Sequence, residues 1–193
     1  MRVIAGKYRS RPLRSLPGLD LRPTADRLRE TLFDVLTAGN PAALEGTTWV
    51  DLFAGTGAVG IEAISRGAGM VYFVEKSRPA VELIRRNLQS LGVETGFRIL
   101  QQDAIRVGRL LPEVKVDYVF VDPPYKIESV YGQTLEALSD SQLLKSESLV
   151  IVEHHKKFEP GERVASLEKY RALKQGDAAL SFYRVSSSLA KNS

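Results

Sequence analysis

The chain has 193 residues, of which 44% are hydrophobic and 26% charged, a balance that excludes wholesale disorder and suits one domain or slightly more. It contains no cysteine, which excludes disulfides, thiolate metal sites, iron–sulfur clusters and cysteine nucleophiles together. Its longest purely apolar run, Met70-Val71-Tyr72-Phe73-Val74, is far shorter than the roughly 20 residues of a membrane span. No tripartite secretory signal follows Met1, so a cytoplasmic protein with neither a membrane nor a metal partner is expected.

Charge is unevenly placed. Residues 1–29 carry eight basic side chains (Arg2, Lys7, Arg9, Arg11, Arg14, Arg22, Arg27 and Arg29) against Asp20 and Asp26, a net +6, while the remainder sums to −2. Such an arm suits a polyanion, although a merely solvated basic tail has the same composition. Within residues 1–23, the apolar pieces Val3-Ile4-Ala5 and Leu13 are broken by Gly6, Pro12, Pro17, Gly18 and Pro23. These deny a long helix and predict a short hairpin or extended arm. Thr24 is the candidate N-cap of a helix over 25–38, with Asp26 favouring the dipole of its first turn. Leu28, Leu32, Val35 and Leu36 give that helix one apolar face.

From Trp49 strand and helix alternate. Strands are expected at Trp49–Phe53, Met70–Glu75, Phe97–Gln102, Asp117–Val121 and Ser148–Glu153, with helices at 57–66, 78–91, 104–111 and 129–144 between them. Ser77 as N-cap, Pro79 in the first turn and Gly92 as the stop bound the second of these helices. Its buried stripe is Val81, Ile84, Leu88 and Leu91. Near the end, Tyr170–Leu173 and Ala179–Val185 flank the turn signal Lys174-Gln175-Gly176-Asp177 and predict an antiparallel hairpin. The expected fold class is α/β: a doubly wound, mostly parallel, seven-stranded Rossmann-like sheet with a C-terminal antiparallel hairpin and a short basic N-terminal arm. The expected divisions are the arm 1–23, a main domain 24–186 and a disordered polar tail 187–193.

Asp51 to Gly60 follow the first strand and open a helix. Gly55, Gly57 and Gly60 match G-x-G-x-x-G, and Glu75 ends the next strand 20 residues after Gly55, which is the dinucleotide pattern in its required context. Glycines serving only a tight turn would look the same. Asp51 separates the candidate cofactors. It lies where a pyrophosphate would approach, and unit charges about 4 Å apart interact by roughly 4 kcal/mol at intermediate dielectric. S-adenosylmethionine has no phosphate and carries an ammonium and a sulfonium, both drawn to an acid. Glu75 suits the ribose of either cofactor, and Asp103, ending the third strand, offers an acceptor for the adenine amino group. Three acids at three successive strand ends favour the cationic nucleoside over NAD.

Asp122-Pro123-Pro124-Tyr125 follows the apolar strand Tyr118–Val121. If that strand neighbours the first, Asp122 faces Gly55–Gly57 at the switch point of the sheet. Two prolines fix the backbone beyond the aspartate. An exocyclic amino group is a poor nucleophile because its lone pair is delocalised into the base. Accepting its two N–H bonds, one by Asp122 and one by the Pro123 carbonyl, pulls the nitrogen toward pyramidal geometry and aims the lone pair at a sulfonium methyl. Catalysis of this kind is mostly positioning. Tyr125 offers a ring for an extruded base, worth about 1–3 kcal/mol; a rigid Pro-Pro loop with a packing tyrosine is the plainer alternative.

These residues resemble the class I S-adenosylmethionine-dependent methyltransferases that modify amino groups, whose signature is Asp or Asn, then Pro-Pro and an aromatic. Four blocks narrow the resemblance: Arg2–Gly6, Arg22–Phe33, Asp51–Gly60 continuing through Glu62–Ala68, and Asp122–Tyr125. Together they are similar to the bacterial 16S ribosomal RNA guanine-N2 methyltransferase family of the small subunit, over residues 2 to about 185. The resemblance implies that Asp51, Gly55, Thr56, Gly57, Glu75 and Asp103 bind the donor and that Asp122, Pro123 and Tyr125 hold the guanine. It implies too that Arg2, Lys7, Arg9, Arg11, Arg22, Arg27 and Arg29 grip the RNA of the small subunit or its assembly intermediate, with the chain acting as a monomer. The sequence departs from the family at Asp34, Thr56 and Val59, where Asn, Ser and Leu are usual, and at Gln175, where Tyr is usual.

His154-His155 reads as an exposed pair at a strand end rather than a metal or phosphate site, and Trp49 as core. The rival functions are N6-adenine methylation of DNA or RNA, an NAD-dependent oxidoreductase, and a non-catalytic RNA-binding assembly factor.

Overall fold

A computed structural model describes residues 1–15, 23–111, 113–125 and 127–186. Arg22 and the expected tail 187–193 lie outside the described residues. The chain divides into two compact units, the first Met1–Gln102 and the second from Asp103 onward.

The first unit begins with the arm folded back on itself. Arg2 and Pro12 form an antiparallel bridge, and the amides of Val3 and Ser10 donate to the carbonyls of Arg11 and Val3 at 3.0 and 2.9 Å. There follow α1 (Pro23–Thr37), β1 (Thr48–Leu52), α2 (Ala58–Ser65), β2 (Met70–Val74), α3 (Arg78–Leu91) and β3 (Phe97–Leu100). The strands lie in the order β3-β2-β1, all parallel, each pair joined through a helix as parallel pairing requires.

Helix α1 starts at Pro23, so Thr24 lies inside its first turn instead of capping it; proline's fixed φ suits the first helical position. Its buried face is Leu28, Leu32 and Phe33, with Val35 and Leu36 half-buried. Phe33 stacks at 5.5 Å on Trp49, which is core as expected. Helix α3 keeps its expected bounds. The Ser77 hydroxyl accepts from Ala80 N at 3.5 Å, and Gly92 closes the helix at φ 71°, the left-handed position where glycine carries no steric cost.

The second unit contains a 3-10 turn (Ala104–Arg106), α4 (Val107–Leu110), β4 (Val116–Val121), α5 (Ser129–Ser139), β5 (Leu144–His155), β6 (Arg163–Val164), β7 (Leu167–Gln175) and β8 (Ala178–Val185). Its strands run in the order β4-β5-β8-β7-β6, with β4 and β5 parallel and the other pairs antiparallel. The expected C-terminal hairpin is present, closing between Gln175 and Ala178.

Three expectations are corrected. Among the described residues there are eight strands, not seven, because β6 is only two residues long and leaves no periodicity to read. The helix expected to reach 144 stops at Ser139. There Ser141 Oγ donates to Leu138 O and accepts from Leu143 N, the local competition by which serine ends helices. Strand β5 is longer than expected at both ends, running from Leu144 to His155 instead of Ser148 to Glu153.

Candidate functional site

The loop after β1 is shaped by its own acids. Phe53, Gly55 and Gly57 all take positive φ (59°, 54° and 77°), and the left-handed turns hand the chain to α2. Asp51, 2% exposed, accepts from Gly60 N at 2.9 Å. Glu75, one residue beyond β2, accepts from Gly55 N at 2.9 Å through one oxygen and from Ser77 N at 2.7 Å through the other. Gly60 is closely packed: a Cβ there would lie 2.3 Å from the Phe73 ring, so a larger residue forces buried side chains to shift. Asn87 of α3 holds the loop from behind, its amide donating to Thr56 O at 3.0 Å.

Burial pushes the Asp51 carboxyl up to about 8, and the neighbouring Glu75 charge adds to the rise, while the Gly60 hydrogen bond opposes it. A buried acid beside a second acid is a place where a cation lowers the energy and an anion raises it. The charge of S-adenosylmethionine fits that donor set; a pyrophosphate does not. Asp51, Gly55, Thr56, Gly57 and Glu75 therefore stand in one small region of the first unit. Asp103 opens the second unit and caps its 3-10 turn, accepting from Ile105 N at 3.3 Å.

The sequence-level reading missed what fastens the arm. Glu62 of α2 is fully buried and accepts from Ile4 N and Ala5 N at 2.8 and 2.9 Å, and from Arg66 Nε at 2.9 Å. Ser65 adds bonds to Ala5 O, Tyr8 N and, through its carbonyl, Lys7 N. Gly6 allows this approach: a Cβ there would sit 1.9 Å from Ser65 O. The signal available was a lone acid and serine in the apolar stretch Ile61-Glu62-Ala63-Ile64-Ser65, where a charge must find partners.

Of the expected RNA-binding residues, Arg2, Arg9 and Arg27 line one groove of about 460 Å³ together with Asp26 and Glu30. Lys7 is exposed beside the Tyr8 ring, and Arg11 reaches Ser90 O at 2.9 Å. Arg29 is corrected. Its side chain is 4% exposed, bonded to Asp26 at 3.1 Å and Arg2 O at 2.5 Å, with Glu62 at 3.9 Å. It is a buried strut, its guanidinium taken up within the first unit.

In the second unit, β4 ends at Val121 and delivers a half-buried Asp122, a buried Pro123 and an exposed Pro124. Tyr125 is half-buried, and its hydroxyl donates to Glu153 of β5 at 2.9 Å. Burial raises the pKa of the Tyr125 hydroxyl, and the charges of Glu153 and Asp122 raise it further; it stays protonated and can only donate to an acid. Burial also raises Glu153, which the tyrosine's hydrogen bond pulls back down. Sequence reasoning passed over Glu153, a strand-end acid without a motif. His154 corrects the expectation of an exposed pair: it is buried, with Nε2 2.8 Å from Ser181 Oγ, and burial lowers its pKa. His155 is half-buried, its ring edge-on to Tyr125 at 6.2 Å. Among the described residues no cluster of three or more His, Asp or Glu is placed to hold a metal ion, and no helix is long and apolar enough to cross a membrane.

A family model described as conserved hypothetical protein 95 matches residues 1–184. Ribosomal RNA small subunit methyltransferase D of Haemophilus influenzae is 32% identical over 187 residues, covering 96% of this chain and 92% of that protein. The chain belongs to this family. The protein of the same name from Escherichia coli K12 is 35% identical over 157 residues, or 79% of this chain and 74% of its own. The solved structure of yhhF from Escherichia coli has a TM-score of 0.79 at 32% identity, covering 96% of this chain and 98% of that one. Family and fold agree with the methyltransferase-type α/β architecture expected from the sequence.

Proposed function

We propose that the chain transfers a methyl group from S-adenosylmethionine to the exocyclic N2 of a guanine in 16S ribosomal RNA of the small subunit. It acts as a cytoplasmic monomer, with residues 1–23 as the basic arm and 24–186 as the catalytic domain. The observation that carries this reading is the pairing of two kinds of loop in one chain: an acid-lined glycine turn suited to a cationic donor, and an Asp-Pro-Pro-Tyr turn whose tyrosine is braced by Glu153. Membership in a family whose relatives are named ribosomal RNA methyltransferases supports it and sets the NAD-dependent oxidoreductase aside.

Asp51 and Glu75 hold the donor's positive charge and its ribose, with Gly55, Thr56 and Gly57 supplying the close backbone approach. The Asp122 carboxylate and the Pro123 carbonyl accept the two N–H bonds of the guanine amine, while the Tyr125 ring stacks on the extruded base. The amine lone pair forms the new N–C bond as the C–S bond breaks and its electrons return to sulfur. The methylated ammonium then loses one proton, for which Asp122 is the nearest acceptor. Mass mapping of methylated nucleotides after incubating unmodified small subunits with labelled donor tests the reading. A single methylated guanine in 16S RNA is expected; methyl appearing only in DNA, or only on adenine, defeats it.

A further inference from the structure

Where the arm meets the first turns of α3, Arg14, Arg78, Pro79, Glu82, Leu83 and Arg86 line a groove of about 470 Å³. Arg14 is set there by reciprocal bonds with Asn87: its amide donates to Oδ1 at 2.9 Å, and Asn87 Nδ2 donates to its carbonyl at 3.2 Å. Arg11 lies on the same flank of the helix, one turn further along, donating to Ser90 O. Among the described residues lining the groove the one acid, Glu82, pairs with Arg85 at 2.7 Å. Among the described residues no acid pairs with the guanidinium of Arg14, Arg78 or Arg86.

Three guanidinium groups around one groove, with Glu82 already paired to Arg85, leave a net positive site that a further anion stabilises. Arg78 and Arg86 are eight positions apart, about 12 Å along the helix axis, so the groove spans more than one phosphate of a nucleic-acid strand. We propose that this groove grips the sugar-phosphate backbone of the RNA substrate, as an anchor on α3 additional to the residues of the arm's Arg2–Arg9–Arg27 groove. The proposal rests on the RNA methyltransferase reading above. A membrane surface fits less well, because an interfacial site presents apolar side chains to the lipid, and the groove's Leu83 is buried.

The test measures binding of a labelled hairpin transcribed from 16S ribosomal RNA across a salt series, for the unaltered chain, Arg78→Ala with Arg86→Ala, and the corresponding Lys pair. Losing two phosphate contacts lowers the slope of log affinity against log salt by about 1.4–1.8 and weakens binding about tenfold or more at ~0.15 M salt. The Lys pair stays within about twofold, since phosphate positioning needs the charge. Donor affinity by calorimetry is unchanged throughout; should the Ala pair fail to fold, Arg14→Ala reads the same groove from the arm. An alanine variant that folds and keeps both slope and affinity overturns the proposal. So does binding to phosphatidylserine vesicles through these arginines without RNA binding. The two readings fail separately: RNA binding that depends on the arginines without methyl incorporation refutes only the reaction, whereas methylation and binding that both survive the alanine pair refute only the groove.

Discussion

The loops after β1 and β4 both involve an aspartate at a strand end, yet the acids around them do different work. Around the first, Asp51 and Glu75 accept backbone N–H groups of Gly60, Gly55 and Ser77, and Glu62 on the following helix does the same for the arm. Around the second, the acid Glu153 accepts from a side chain, the Tyr125 hydroxyl. A carboxylate that receives main-chain donors fixes the path of a loop. One that receives a phenol fixes the orientation of a ring and leaves the main chain to its two prolines. The first unit thus uses acids for the shape of its loop, whereas the second uses Glu153 to set a side chain.

The sharpest division between these uses is drawn by Asp122→Ala. Methyl incorporation into unmodified small subunits is expected to fall at least about a thousandfold, the scale of losing a positioned group in the transition state, with RNA affinity and donor affinity both kept within about threefold. Unchanged turnover would remove Asp122 from the reaction and erase the contrast. Glu62→Ala should do the opposite. It strands the amides of Ile4 and Ala5, leaves half-buried Arg66 without its acid and leaves buried Arg29 with Asp26 alone, so about 3–5 kcal/mol of stability is expected to be lost. Urea unfolding measures this, and a loss under about 1 kcal/mol would mean that the arm is held by something other than Glu62.

Much of this was readable in the residues themselves. Helix α3 was legible end to end because Ser77, Pro79 and Gly92 each carry a local physical preference, and the strands up to β4 because apolar alternation with helices has a strong period. The glycine loop and Asp122–Tyr125 were legible as motifs. What was not legible depends on contacts distant in sequence. Glu153 acquires its role only when β5 brings it to Tyr125, 28 residues away; Arg29 is a strut because Glu62 and the Arg2 carbonyl, distant in sequence, meet it together with nearby Asp26. His154 is a similar case, buried by the pairing of β5 with β8. Charge and pattern report which residues want partners, whereas the topology decides which partners they get.

The pH behaviour of Asp51 tests whether the first loop's acid serves charge as well as shape. Its carboxyl rises from an ordinary 3.8 to about 8 in the folded chain. Between those values the folded chain holds a proton that the unfolded chain has released, so this group makes stability fall as pH rises from about 4 to about 8. Asp51→Asn keeps an acceptor for Gly60 N and is expected to flatten that fall in urea titrations. A cationic donor works against the proton, because the sulfonium charge, which does not titrate, favours the ionised acid. Donor affinity of the unaltered chain therefore rises toward pH 8 by up to about tenfold per unit and then levels, while Asp51→Asn binds more weakly and without that slope. Calorimetry from pH 6 to 9 reads both, and a flat profile in the unaltered chain would make Asp51 purely architectural.

The smallest effect probes the second loop. Tyr125→Phe keeps the ring and deletes only the donor to Glu153, a bond worth about 1 kcal/mol or slightly more, so turnover on small subunits should fall only several-fold. Tyr125→Ala removes the stacking surface as well, worth about 1–3 kcal/mol, and should fall further and raise the KM for RNA. The phenylalanine variant carries one more signature. The tyrosine's hydrogen bond holds the Glu153 carboxyl down against the rise caused by burial; without it Glu153 keeps its proton to higher pH, and any limb of the rate profile that tracks this acid moves upward. A Phe variant as impaired as the Ala variant, with an unmoved profile, would mean that the hydroxyl itself touches the substrate, and that the second loop, unlike the first, holds its ring by packing alone.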